Sequence, residues 1–297
     1  MRYLIEIWTI LSLLKKEPSR ILSPYLSMID SHIHYLHVQR TKPHVEFHLH
    51  RGCEIFFLIQ GDVKYFVEKT IYPLRFGDLI ITNEHEIHKP SFSTEALYER
   101  ITIEFTPAMA ELFQTDRFNP LDCFYNRPNG QRNKLAMDPK ETSLMSNLFQ
   151  KYEYFQNNPA DGDAILKLGC FMEILVLINR LFKQQPPSTG METHHKLTPV
   201  LDYIELHLDQ DLSLDCLEQK FYINKYYMLK LFKKHTGSTI HEYIVSKRIG
   251  MAKKLLVEGC DVMEACLKSG FNDYTSFLRM FKKKVGLLPK DYVKSVR

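Results

Sequence analysis

Two hydrophobic periods divide this chain. Between residues 25 and 105 apolar positions recur at every second residue, and from Lys140 onward they recur every three or four. The first period predicts strands and the second predicts helices. Residues 33–38 read as one strand and 54–59 as another. The second run is apolar almost throughout, so it should be buried on both faces. After a turn at Gly61, Val63, Tyr65 and Val67 alternate with Lys64, Phe66 and Glu68. Further strands are expected at 71–74, 79–82 and 97–105, with Gly77-Asp78 as a tight turn. Many short strands at even spacing point to a small barrel or sandwich, of which a barrel is expected here.

The helical part begins with a stripe of Leu144, Leu148, Tyr152 and Phe155, broken at Asn157-Asn158-Pro159. A second stripe follows, with Ile165, Leu168, Met172, Leu175, Val176 and Phe182. Residues 170–178 are apolar nearly all round except at Glu173. Such a helix buries more than one face. Either both helices cover the strands, or a face that includes Leu175 meets a second copy. Residues 184–195 carry two prolines, a glycine and no period, and read as a linker.

The last hundred residues contain one pattern twice. Phe232, Gly237 and Tyr243 repeat as Phe281, Gly286 and Tyr292, each at an offset of 49. Each copy predicts two helices joined by a short turn. In the first, Ser213 caps a helix with Leu214, Leu217 and Phe221 inward, and Asn224 caps the next, which buries Met228, Leu231 and Phe232. In the second, Val262, Met263, Cys266 and Leu267 form the stripe, and Phe277, Met280 and Phe281 follow. A long helix at 240–257 joins the copies. Helix pairs of this kind place the second helix in the DNA major groove. Lys225, Tyr226, Leu229, Lys230 and Lys233 would then face DNA from the first copy. Tyr274, Thr275, Leu278, Arg279 and Lys282 would do so from the second.

This stretch resembles the AraC/XylS transcription regulators. The resemblance is carried by the run 211–221, by 224–237, and by Tyr243, Arg248, Ala252, Glu264, Ser269-Gly270-Phe271, Arg279, Phe281-Lys282-Lys283, Gly286 and Pro289. It implies control of transcription, a separate effector domain, contact with RNA polymerase and dimerisation. It also marks Tyr226, Leu229, Lys230, Tyr274, Thr275, Leu278 and Arg279 as base readers. Three positions depart from the family: Glu218 and Cys266 stand where alanine is usual, and Leu288 stands where a serine or threonine cap is usual.

Within the strand region, His48, His50, Glu54 and Gly61 resemble the first cupin motif, and Gly77-Asp78 through His88 the second. The resemblance implies that His48, His50, Glu54 and His88 point inward together. Two residues apart on a strand put both imidazoles on one face. Three histidines and a carboxylate suit a first-row divalent metal. The resemblance also implies that most regulatory members of this type use the cavity for a small organic effector or leave it empty. A sugar is the favoured effector, with Tyr35 and Tyr65 joining the four residues in its pocket. No cofactor beyond a possible metal is expected.

Composition adds little until it is divided. The 297-residue chain has a net charge of +4. From Lys196 onward there are 18 lysines and arginines against 12 acids, and before it 21 against 23. The positive excess lies where phosphate would be met. Six cysteines without a Cys-x-x-Cys pair suggest reduced thiols in a cytoplasmic protein. Residues 3–14 are mostly apolar but too short to span a bilayer, so no membrane partner is expected.

Together these features predict an α+β multidomain chain. Its parts are an arm at 1–22, a cupin-like β-barrel effector domain at 23–138, dimerisation helices at 139–185, a linker at 186–196 and an all-α double helix-turn-helix at 197–297. The expected function is a non-enzymatic, effector-controlled, dimeric DNA-binding regulator. A metal-dependent cupin enzyme with a DNA-binding tail and a ligand-independent regulator are the alternatives.

Overall fold

A computed structural model describes residues 32–41, 45–92, 97–186, 191–192 and 196–296. The arm at 1–22 lies outside the described residues. No described helix is long and apolar enough to cross a membrane.

The strands are β1 (Ile33–Arg40), β2 (Cys53–Gln60), β3 (Val63–Val67), β4 (Thr70–Leu74), β5 (Leu79–Thr82), β6 (His88–Phe92) and β7 (Tyr98–Phe105). Short helices α1 (Pro107–Glu111) and α2 (Asp122–Tyr125), then β8 (Lys134–Leu135), lead to the long helices α3 (Pro139–Asn157) and α4 (Asp163–Gln184). The described strands pair into two sheets, β1-β7-β2-β5-β8 and β6-β3-β4-β9, where β9 is Met191–Glu192. The expected barrel is therefore not closed. The two sheets face each other and keep separate edges, as in a sandwich. β9 also corrects the linker: within 186–196, Met191 and Glu192 pair with Ile71 and Thr70 on the open edge of β4. An edge strand offers unpaired N–H and C=O groups, and the passing chain takes them.

β2 explains how the layers pack. Ile55 and Phe57 face α3 and α4, while Phe56 and Leu58 face the second sheet. Residues 53–58 are all buried, as their nearly continuous apolar run predicts, with Glu54 the one polar residue among them. Phe66 departs from the expected alternation and is buried, because the helical C-terminal part covers that face of β3.

The helices α3 and α4 cover the first sheet. Asp138 and Glu141 form a capping box that starts α3. Leu175 has no exposed surface and sits in the chain's own core. It cannot be the contact to a second copy, which corrects that expectation. The large hydrophobics left exposed are Leu144 and Tyr154 on α3, and Ile165 and Leu166 on α4.

The C-terminal part comprises α5 (Thr198–Leu206), α6 (Leu214–Phe221), α7 (Lys225–Thr236), α8 (Ile240–Val257), α9 (Val262–Lys268), α10 (Tyr274–Val285) and α11 (Pro289–Val296). α8 runs through two cores. Its first turns pack with α5–α7, and its remainder packs with α9–α11. The first of these cores also includes Phe47, Phe66, Ile71 and Ile87 from the β-rich part. The two parts of the chain thus share one apolar cluster.

Candidate functional site

Both helix pairs form, and their ends are fixed by side chains. The Ser213 hydroxyl accepts the Cys216 N–H at 3.3 Å. The Asn224 side-chain oxygen Oδ1 accepts the N–H groups of Tyr226 and Tyr227 at 3.1 and 3.3 Å. Glu218 takes up another first-turn donor of α7, accepting the Lys225 N–H at 3.0 Å. This residue, foreign to the family pattern, acts as a cap across the turn. In the second pair Asp261 accepts the Glu264 N–H at 2.8 Å, and Asp273 accepts the Ser276 N–H at 2.6 Å.

The inward faces are Met228, Leu231 and Phe232 on α7, and Phe277 and Phe281 on α10. On α9 the buried residues are Ala265 and Cys266. Met263 and Leu267, expected inside, are 49% and 59% exposed. Seven residues span only two turns, and Ala265 is small enough to let α9 approach α8 closely. That rotates the stripe away from the larger side chains.

Tyr226, Lys230 and Lys233 are exposed on α7, as are Thr275, Arg279 and Lys282 on α10. Lys225 is half-buried, with its ammonium 2.5 Å from an Asp215 oxygen. Leu229, Tyr274 and Leu278 are half-buried against their own cores. The sequence reading missed two aromatics on this side: Tyr222, 95% exposed in the left-handed turn before α7, and Tyr227, 44% exposed. Gly270 locks the two modules together. Its φ is +87°, and a Cβ there would fall 1.9 Å from the Leu208 carbonyl oxygen.

The second cluster lies between the sheets. His48, His50, Glu54 and His88 each offer a donor atom, and these atoms lie within 4.8 Å of one another. His48 bridges to His88 across the sheet edge. The three ring centroids stand 4.5–4.9 Å apart. The outer nitrogens are held in place: His48 Nδ1 is 2.9 Å from the Glu46 carbonyl, His88 Nδ1 2.8 Å from the Glu86 carbonyl, and His50 Nδ1 3.1 Å from Glu104. Nε2 of His50 lies 2.8 Å from Glu54, and Nε2 of His88 3.7 Å from its other oxygen. Neither nitrogen makes an aligned hydrogen bond, although both are buried. Tyr65 donates to Glu54 at 2.8 Å.

Electrostatics follow from this burial. Burial holds His48 well below the usual imidazole range, helped by the neighbouring rings, and it lowers His88 as well. Burial would also lower His50, but the carboxylates of Glu54 and Glu104 outweigh it and raise it to about 10. Glu54 is held well below the carboxylate range; burial opposes this, and the three rings prevail.

Tyr35 does not join the cluster. It pairs with Ile103 and stacks on Tyr152 of α3 at 5.1 Å, on the opposite face of the sheet from Glu54. Alternation along a strand settles this, because Tyr35 shares its face with Ile55 and not with Glu54. Glu104, which the cluster uses, was missed. Only the register between β2 and β7, which sets Glu104 opposite Glu54, could reveal it.

Two family profiles match the chain: an AraC-like ligand binding domain over residues 32–167 and a helix-turn-helix domain over 217–295. The chain belongs to the AraC-type transcription regulators. It carries an AraC-like ligand binding domain followed by a helix-turn-helix domain. An uncharacterized HTH-type transcriptional regulator of Staphylococcus aureus (strain MRSA252) is 22% identical over 260 residues, 87% of this AraC-type chain and 33% of its own. The HTH-type transcriptional activator Btr of Bacillus subtilis (strain 168) is 33% identical over 138 residues, 46% of this chain and 26% of its own. The chain therefore spans a third or less of the length of these curated relatives. Among solved structures, ToxT from Vibrio cholerae O395 aligns with 89% of this chain and 98% of its own, at 12% identity and a TM-score of 0.38.

Proposed function

We propose that this regulator reads duplex DNA in a sequence-specific way with α7 and α10 in neighbouring major grooves. Tyr226, Leu229, Lys230, Tyr274, Thr275, Leu278 and Arg279 meet base edges, and Lys225, Lys233 and Lys282 meet phosphates. It acts as a homodimer in the cytoplasm, without turnover of a substrate, through contact with RNA polymerase. An effector held around His48, His50, Glu54 and His88 sets its activity. The proposed division into arm, effector domain, paired helices, linker and double helix-turn-helix follows the boundaries given above, with Met191 and Glu192 of the linker held against the effector domain as an edge strand.

The observation that carries this reading is the duplicated, side-chain-capped helix pair on one connecting helix. Eighteen residues make α8 about 27 Å long. Successive major grooves lie about 34 Å apart, so readers anchored at the two ends of α8 fit one face of the duplex. A sugar fits the effector site less well than the sequence alone suggests. Tyr35 is on the other face of the sheet, and rings 4.5–4.9 Å apart leave no room for a pyranose between them.

Selection of bound genomic fragments, followed by footprinting, tests the reading. Two protected segments about one helical turn apart are expected. Arg279→Ala should cost about 1–3 kcal/mol at one base pair and relax specificity there. The pair Lys233→Ala and Lys282→Ala should weaken binding on all sequences and flatten the salt dependence. An unchanged salt slope would refute their assignment to phosphate.

A further inference from the structure

We propose that the segment 46–50 and β6 together splint α8 and so fix the distance between the two DNA-reading helices, with Glu46 and Lys89 as positioning residues. The inference rests on the reading of α7 and α10 as groove readers and adds what holds them apart.

The need for a splint follows from how the readers are joined. Among the described helices, α8 alone contributes to both helical cores, with Tyr243 and Ile244 in the first and Ile249 and Leu256 in the second. Gly250 stands near the middle of that helix, and in a helix interior glycine is the weakest former after proline. The modules also touch at Gly270 and Leu208, a contact small enough to act as a pivot. Half of α8 is about 13 Å long, so a bend of about 15° at its centre moves the far end about 3.5 Å. One base-pair step is about 3.4 Å. A modest bend of α8 would therefore carry α10 off by one step relative to α7.

The β-rich part lies along the helix that could bend. Phe47 packs on Tyr243 at 5.6 Å, Leu49 lies against Gly250, and the His50 carbonyl accepts from Lys253 at 3.1 Å. Seven and three residues separate these helix positions, which sets them along one face. A Cβ at 250 would come 3.1 Å from the Leu49 side chain, so glycine lets the segment lie close. The same segment holds the end of α10: Glu46 pairs with Lys283 and Lys284 at 2.9 and 3.0 Å, and the Phe47 carbonyl accepts from Lys284 at 2.8 Å. β6 holds the end of α7. Lys89 donates to the Ser238 hydroxyl at 2.6 Å, and a Cβ at Gly237 would fall 2.9 Å from the Ser91 hydroxyl. The two strands move as one, because His48 and His88 exchange backbone hydrogen bonds at 3.2 Å. The Lys89 ammonium also lies 5.4 Å from the centre of the Phe47 ring. One piece of sheet thus grips the C-terminal end of each reader and the helix between them, and leaves Lys230, Lys233, Arg279 and Lys282 exposed.

The test uses the full chain and a duplex library of random sequence. The most enriched duplex is remade with one base pair added or removed between its two protected segments. One base pair turns the second segment by about 34–36° around the duplex, and should weaken wild-type binding about tenfold or more. In Glu46→Ala and in Lys89→Met that penalty should shrink about threefold or more. A role confined to stability would lower affinity on all spacings alike and leave the penalty unchanged. Adding Gly250→Ala to Glu46→Ala stiffens α8 and displaces only the end of Leu49, so it should restore part of the lost preference. Lys89 is buried; if its variant melts early, Glu46→Ala decides, because that carboxylate is half-exposed. A wild type indifferent to spacing, an unchanged penalty in Glu46→Ala, or no recovery with Gly250→Ala overturns the proposal. Salt-dependent binding with an unchanged penalty sinks only this inference. Absence of binding to any duplex in the library sinks the regulator reading with it.

Discussion

Truncating Phe47 to alanine is the sharpest test of how the two parts of the chain are joined. The side chain has no exposed surface. Its ring lies 5.4 Å from Phe66 of the β-rich part, and 5.6 and 6.4 Å from Tyr243 and Phe232 of the helical part. Removing a buried phenylalanine costs about 3–5 kcal/mol, depending on how far the site can collapse. Here the walls belong to a sheet and to two helices, so collapse is limited and the upper half of that range is expected. Against a typical total of about 5–15 kcal/mol, this is a large fraction. Without the ring, the parts are held by what is left of the shared core, Phe66, Ile71 and Ile87, and by lysine contacts such as Lys247 with Glu68 and Lys284 with Glu46. Calorimetry of Phe47→Ala should therefore show a lower first transition, and one cooperative melt should split into two. Phe76→Ala is the control: that residue is 65% exposed and should shift stability by under about 0.5 kcal/mol. A single unsplit transition lowered by less than about 1 kcal/mol would refute the shared core.

Glu218→Ala restores the residue usual in the family, yet it should lower stability by about 1 kcal/mol in chemical denaturation, because the Lys225 N–H loses its acceptor. A gain in stability would show that close packing of the first module outweighs that cap. Leu175→Glu should unfold the chain, because the residue is fully buried in the chain's own core. Ile165→Glu with Leu166→Glu should leave melting unchanged and give monomers in sedimentation if α4 forms the dimer contact. Dimers persisting in the second variant would move the contact elsewhere.

Much of this architecture is local and could be read directly. The capped starts at Ser213 and Asn224, the left-handed ends at Gly237 and Gly286, and the doubly buried strand β2 depend on neighbours a few residues away. The strand β6 was missed, because His88-Lys89-Pro90 carries neither alternation nor an apolar run; its burial comes from contacts made elsewhere in the fold. Tyr35 was misplaced and Glu104 overlooked for one reason. Which face of a sheet a residue shares with a partner strand depends on register, and single-strand patterns do not encode register. Leu175 shows a related gap. An apolar stretch says that a face is buried, but not whether the cover comes from the same chain.

The charge of the C-terminal segment carries the same lesson into function. Its excess of cations reads as a footprint for phosphate, but several of those cations are spent inside the molecule. Lys247 lies between Glu68 and Glu205, Lys253 meets the His50 carbonyl, and Lys284 meets Glu46 and the Phe47 carbonyl. Arg248 ties α8 to the carbonyls of Leu208 and Gln210. Glu46 is held down at about 2, first by its hydrogen bonds from Lys283 and Lys284. These contacts belong to docking. What remains for DNA is a narrower set on α7 and α10, with Lys230, Lys233, Arg279 and Lys282 exposed at its centre. The salt slope of binding should therefore reflect a few phosphate contacts per chain, well below the count of basic residues in the segment. α8 fits the same account. It is buried on several sides because it serves two helix pairs and the β-rich part together, so its two ends cannot shift without disturbing the segment that carries His48 and His50.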